Sequence, residues 1–162
     1  MKVIQGDLLH LAKDGEFDVI IHGCNIYNTM GGGIAAQIKK EFPLAELADK
    51  QTLRGDRTKL GTYTKSSTIT EKGRVTVVNA YTQGKYWFTR DEKDSGQLPV
   101  LADYEAIENV FKKIKKDFSG KRIGYPMIGA GLAGGDWTVI SKIINKELEG
   151  EDHTLVMWNK KQ

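Results

Sequence analysis

The chain has 162 residues, 40% of them hydrophobic, which is enough for one buried core and too little for two independent ones, so a single domain over 1–162 is expected. Its net charge is +3, and its paired lysines (Lys39-Lys40, Lys112-Lys113, Lys115-Lys116, Lys160-Lys161) are scattered among 21 acidic residues, a pattern of solvated helix faces that argues against a dedicated nucleic-acid surface. The single cysteine, Cys24, excludes an internal disulfide and fits a reducing compartment; with no signal-peptide core after Met1 and no apolar run near the roughly 20 residues that span a bilayer, a cytoplasmic protein away from membranes is expected.

Residues 2–5 and 19–22 read as the first two strands. Asp7 follows the first and suits the N-cap of a short helix through Leu11. The second leads into a glycine loop, Met30-Gly31-Gly32-Gly33-Ile34-Ala35, and a helix over 33–42 that Pro43 limits; another helical stretch covers 45–53. Strands at 61–67 and 75–81 carry β-branched alternation about a hairpin-like Glu71-Lys72-Gly73. Over 82–100 the periodicity disappears, and this polar stretch holding Tyr86, Trp87 and Phe88 reads as one long loop, either a lid over a ligand or packing on the sheet.

The last third is the clearest. Ile107, Val110, Phe111, Ile114 and Phe118 form one helical stripe, ended by Ser119-Gly120, and 123–128 reads as a buried strand. A second glycine loop follows, from Ile128-Gly129-Ala130-Gly131-Leu132 through Ala133-Gly134-Gly135-Asp136-Trp137. Ile140, Ile143, Ile144 and Leu148 form the next stripe, and 154–158 closes as a strand. Strands that alternate with helices imply an α/β fold with a largely parallel sheet, whose ligands sit at the carboxyl ends of the strands.

Both glycine loops leave a strand and open into a helix, a geometry that suits phosphate: no Cβ bars the approach of an oxyanion, and free N–H groups at a helix start supply donors. Gly129-x-Gly131-x-x-Gly134 is formally the dinucleotide fingerprint. A redox Rossmann unit also needs an acid about 20 residues on, at the end of the next strand, and Glu149, Glu151 and Asp152 all precede the closing strand. The loops are therefore read as generic grips on phosphate oxygens, for two phosphates or for one diphosphate held from both sides. His10, His22 and His153 have no ligand spacing with Cys24, so neither a metal nor another cofactor is expected.

Gly6-Asp7-Leu8-Leu9, Ile21-His22-Gly23-Cys24-Asn25 leading to Gly31-Gly32-Gly33-Ile34-Ala35, and Pro126-Met127-Ile128-Gly129-Ala130-Gly131-Leu132 leading to Trp137 together resemble the macrodomain family, in order, spacing and secondary-structure context. The similarity runs from Met1 to about Asn159 and is nearest to the branch of the yeast-type ADP-ribose 1''-phosphate phosphatase and the ADP-ribosyl-glutamate hydrolases. It implies a three-layer α/β/α fold with a mixed, mostly parallel six-stranded sheet, and ADP-ribose as the ligand. Asp7, beside the backbone of Leu8, would accept from the adenine amino group, or cap its helix, or both. Gly31, Gly32, Gly33 and Ile34 would line the distal ribose and one phosphate; Ile128, Gly129, Ala130, Gly131, Leu132, Ala133 and Gly134 would wrap the diphosphate. Asn25 would meet the distal ribose hydroxyls or stabilise a turn, and Trp158 or Asn159 would pack on the adenine unless Trp158 is core.

The distal end decides the reaction. The glutamate hydrolases carry an aspartate where this chain has Ala133 and a lysine near Thr82-Gln83, so their covalent route is not expected here, although Lys85 is close in sequence. His22, Asn25, Thr82, Gln83 and Asp136 remain. Asp136 is read either as the base that activates water or as the N-cap of the following helix, and His22 either as a catalytic group or as a structural histidine. The leading expectation is an ADP-ribose 1''-phosphate phosphatase with Asp136, His22 and Asn25 as catalytic residues. The alternatives are a non-catalytic ADP-ribose reader or sequestering module, and a hydrolase that frees ADP-ribose from protein or nucleic acid. A monomer is expected, in the host cytoplasm if the chain is viral.

Overall fold

The computed structural model of the protein describes residues 1–158. Six strands, β1 (Lys2–Gly6), β2 (Val19–Asn25), β3 (Tyr63–Thr70), β4 (Gly73–Gln83), β5 (Ile123–Tyr125) and β6 (His153–Trp158), form one sheet in the order β1-β6-β5-β2-β4-β3. All neighbours are parallel except the β3–β4 hairpin, so the sheet is mixed and mostly parallel as expected.

The layers follow from residue alternation. Along β2, Val19 and Ile21 enter one core with Ile107, Val110, Phe111 and Ile114 of α5 (Tyr104–Phe118) and with Ile140 and Ile144 of α6 (Trp137–Glu147). Ile20, between them, joins Leu9 of α1 (Leu8–Lys13), Ile38 of α2 (Gly33–Glu41) and Ala45 of α3 (Pro43–Lys50) on the other side. A strand apolar on both faces requires cover on both, and helices supply it, giving the α/β/α stack. Each fully buried Ile or Phe in these stripes contributes about 1.5–3 kcal/mol.

Several boundaries differ from the sequence reading, each for a local reason. Pro43 does not merely limit α2: it takes the first helical position of α3, where its missing N–H is no loss. The strand read over 123–128 stops at Tyr125, because Pro126 has no N–H for a ladder and Ile128 N already donates to Pro126 O at 2.7 Å. Thr82 and Gln83 belong to β4 rather than to a loop. The loop read over 82–100 also contains a short helix, α4 (Arg90–Asp94), closed by a capping box: Glu92 N donates to Thr89 Oγ1 at 3.2 Å and Thr89 N to Glu92 Oε1 at 2.8 Å.

Candidate functional site

The carboxyl ends of β1, β2, β4 and β6, with the turn after β5, open onto one cleft of about 930 Å³, large for a small-molecule site. Sheet order divides its lining into two flanks. Gly6, Asp7 and Leu8 face the cleft beside Val156, Met157 and Trp158 on the β1–β6 side, and Gly23, Cys24, Asn25 and Gln83 on the β2–β4 side. Gly31, Gly32, Gly33 and Ile34 line it from the first glycine loop, and Ile128, Ala130, Gly131, Leu132 and Ala133 from the second.

The first loop presents a helix start. α2 has Gly32 as its N-cap with no side-chain cap bond, so its first-turn N–H groups open beside Gly33, Ile34 and Ala35 in the cleft wall. The second loop does not, contrary to the sequence reading. Asp136 caps α6 by accepting from Thr138 N at 2.9 Å, and Gly129, Gly134, Asp136 and Trp137 all lie outside the lining. What this loop offers is a turn whose own bonds use the N–H groups of Ala130, Gly134 and Gly135, so the donors of Gly131, Leu132 and Ala133 are not among those the turn consumes.

The glycines divide by what surrounds them. A Cβ on Gly135 would lie 2.5 Å from Gly129 O and 2.7 Å from Ile140 Cδ1, so that glycine serves packing. Gly31 and Gly131 are different: neither has a positive φ, and a Cβ on either would meet nothing within 4 Å. The fold itself gives no reason for glycine there, and both face the cleft.

The predicted polar residues are placed unevenly. Asp7 caps α1 as the sequence suggests, its Oδ1 accepting from Leu9 N at 3.0 Å and His10 N at 3.3 Å, and it also lines the cleft, with Oδ2 the oxygen outside the cap. Asn25 lines the cleft, but its amide builds the following turn: Nδ2 donates to Thr29 Oγ1 at 2.9 Å, and Oδ1 accepts from Tyr27 N at 2.7 Å. Trp158 is 56% exposed and lines the cleft rather than joining the core. Asn159 lies outside the described residues.

His22 and Thr82 are fully buried and line nothing. His22 donates through Nε2 to Asn79 Oδ1 at 2.7 Å, an assignment set by Asn79 Nδ2, which itself donates to Ala45 O at 2.9 Å and Thr64 Oγ1 at 3.0 Å. Burial pushes its pKa down to about 4 despite that bond, so it is a neutral structural histidine at pH 7. Thr82 Oγ1 has no hydrogen-bond partner and abuts Gly23 beneath the cleft floor.

Among the lining residues that sequence reasoning did not assign to the site, which also include Gln37, Leu101, Val156 and Met157, Cys24 and Thr29 lie close to the end of β2, and that position was their signal. Burial, with the Asp49 charge adding, pushes the Cys24 thiol well up, away from the reactive thiolate form. Among the described residues the lining includes no Lys, Arg or His, and Asp7 is its one carboxylate. Among the described residues, an anion here meets main-chain N–H groups and neutral side-chain donors such as Thr29, Gln37 and Gln83 rather than a cationic side chain. Lys85, held by Glu92 Oε1 at 2.6 Å, is not in the lining either. Among the described residues no three His, Cys, Asp or Glu side chains group as a metal site, and no helix is long and apolar enough to cross a membrane.

No family model matches the chain. It is 32% identical over 163 residues to an uncharacterized 17.5 kDa protein of the tk-vs intergenic region of Enterobacteria phage T4, covering 98% of this chain and 96% of that one. It is 28% identical over 144 residues to the ADP-ribose 1''-phosphate phosphatase of Candida albicans, covering 85% and 86%. Among solved structures, the macrodomain of Mycobacterium tuberculosis DarG superposes with a TM-score of 0.70 over 96% of each chain at 16% identity, a likeness of fold.

Proposed function

We propose that the chain is a member of the macrodomain family, that its cleft binds ADP-ribose and that it removes the terminal phosphate of ADP-ribose 1''-phosphate, a reading supported by the phosphatase relative and by the shared fold. The observation that carries the binding is the open space at Gly31 and Gly131, one on each glycine loop. A diphosphate held without cationic side chains must come within hydrogen-bond reach of main-chain N–H groups, and the missing Cβ atoms allow that approach.

The ligand's orientation follows from the flanks. Asp7 Oδ2 accepts from the adenine amino group while Oδ1 keeps the cap of α1, Leu8 lies alongside, and the exposed Trp158 ring covers the base. Gly31 to Ile34, Ile128 and Ala130 to Ala133 hold the diphosphate. The distal ribose then lies toward Asn25, Thr29, Gln83 and Tyr86, where Asn25 acts chiefly as the template of its turn.

In the hydrolysis, a water oxygen bonds to phosphorus as the bond from phosphorus to the ribose oxygen breaks, giving ADP-ribose and inorganic phosphate. Among the described residues, the lining of the β2–β4 flank offers no carboxylate or imidazole as base. The substrate phosphate therefore takes the water's proton and passes a proton to the leaving ribose oxygen, while the loops position the group and stabilise its charge. Such a site turns over slowly. The name borne by the Candida relative supports this reaction; the bare flank favours, as the second reading, a macrodomain that binds ADP-ribose without cleaving it.

Calorimetric titration with ADP-ribose is expected to give a dissociation constant of about 10⁻⁶ M, some 8 kcal/mol. Absence of heat and of thermal shift at millimolar ADP-ribose would overturn the binding. With binding present, phosphate release from ADP-ribose 1''-phosphate establishes the phosphatase, and its absence the binder. Release of ADP-ribose from modified protein or nucleic acid would assign the hydrolase instead.

A further inference from the structure

We propose that Lys59, which lines no part of the cleft, is a positioning residue that holds the first glycine loop in its ligand-binding shape; the inference rests on the ADP-ribose reading above. Lys59 ends a 3-10 turn, Arg57–Lys59, and is only 7% exposed, a rare state for an ammonium unless its donors are matched. They are. Nζ donates to Asn28 Oδ1 at 2.7 Å and to Thr52 Oγ1 at 2.9 Å, and stands 5.3 Å from the centre of the Tyr81 ring. Asp49, which accepts from the Tyr81 hydroxyl at 2.7 Å, adds an attracting charge.

Asn28 is where this brace meets the site. It lies between Asn25 and Gly31, and its φ of 57° is the one positive value at a non-glycine among the described residues. Its amide is gripped at both ends, Oδ1 by Lys59 and Nδ2 by Thr52 O at 2.7 Å. The left-handed turn at Asn28 lets the chain double back so that Thr29 meets the Asn25 amide. The segment before Lys59 grips the preceding backbone too: Gly55 N donates to Ile26 O at 2.8 Å and an Arg54 guanidinium N–H to Tyr27 O at 2.7 Å.

Removing the ammonium leaves Asn28 Oδ1 and Thr52 Oγ1 without their buried donor and frees the strained turn to relax. The ligand must then order the loop as it binds, and affinity falls by that amount. The loss is confined to the half of the ligand over this loop, because the adenine is held on the β1–β6 flank.

The test compares Lys59→Met, Lys59→Arg and Asn28→Gly with the wild type, titrating ADP-ribose and the phosphate-free adenosine and recording the melting temperature. K59M and N28G are expected to weaken ADP-ribose by about tenfold or more while adenosine changes less than about twofold, with K59R recovering most of the loss. N28G keeps a backbone at ease with positive φ, so it carries the test if K59M does not fold. Wild-type ADP-ribose affinity in both K59M and N28G, or equal weakening of adenosine and ADP-ribose, would overturn the brace. Failure of the wild type itself to bind ADP-ribose would instead overturn the function on which it rests.

Discussion

Leu132 reaches Gly32 across the cleft: a Cβ built on Gly32 would lie 3.0 Å from Leu132 Cδ1, so the two glycine loops meet at their tips. Leu132 is 78% exposed and contributes little to the core. Leu132→Ala is therefore expected to leave stability within about 0.5 kcal/mol of the wild type. It should raise the ADP-ribose dissociation rate, by about tenfold if that contact retains the ligand. Stopped-flow release and a denaturant melt check both; unchanged release would show that the tips do not gate the cleft.

The two classes of glycine separate binding from folding. Gly131→Ala has open space for its methyl group and no backbone strain, so its melting temperature should hold while ADP-ribose affinity falls by about tenfold or more. Gly135→Ala drives its methyl group into Gly129 O and should destabilise the protein by about 1–3 kcal/mol. Equal affinity in Gly131→Ala and wild type would remove the main argument for a close diphosphate.

Asp136 is a cap in this structure. Asp136→Ala is expected to lower stability by about 1 kcal/mol through the lost bond to Thr138 N, and to leave ADP-ribose affinity and phosphate release unchanged in the folded protein. A loss of turnover with affinity intact would restore the catalytic role that the sequence suggests.

Thr82→Val tests the orphan hydroxyl under Gly23. Valine keeps the shape and removes a buried group without a partner, so stability should rise by about 1 kcal/mol, with ligand binding unaltered. A weaker variant, or one that no longer binds, would mean that the hydroxyl has work to do in the bound state.

Acid should weaken the fold through His22. Its folded pKa of about 4 lies below the ordinary 6.5, so between those values the unfolded chain holds more protons and stability falls as pH is lowered. The window is pH 6.5 to 4, with the loss levelling off below it. By pH 5 His22 alone accounts for about 2 kcal/mol, and His153, pushed to about 4 chiefly by burial, acts in the same direction. Urea unfolding at pH 7.5 and pH 5 measures the difference, and equal stabilities would contradict the burial of both rings.

The sheet and its two long covering helices were legible because apolar residues repeat at the periods that burial imposes, as from Ile107 to Phe118. α4 was not, since its five residues, Arg90–Asp94, have no apolar stripe; only Thr89 and Glu92, at capping-box spacing, mark it. Asp7 and Asp136 look alike in sequence, each before a helix and beside a glycine. What separates them is tertiary: Asp7 follows a strand that ends in the cleft, whereas the bond from Gly135 N to Gly129 O folds the second loop back before Asp136 is reached. His22 misleads for a related reason, because its partner Asn79 stands opposite it on β4, and cross-strand register is not written in either strand alone.

The proposed adenine wall joins segments from far ends of the sequence, with Gly6 opposite Trp158 where β1 pairs with β6. β1 lies on the open edge of the sheet with four of its five residues exposed. This seam should breathe more readily than the central β2–β4 pair. A nucleotide that touches both strands would then be a stitch as well as a ligand: it would fasten the molecule along this exposed seam, and recognition there would in part complete folding.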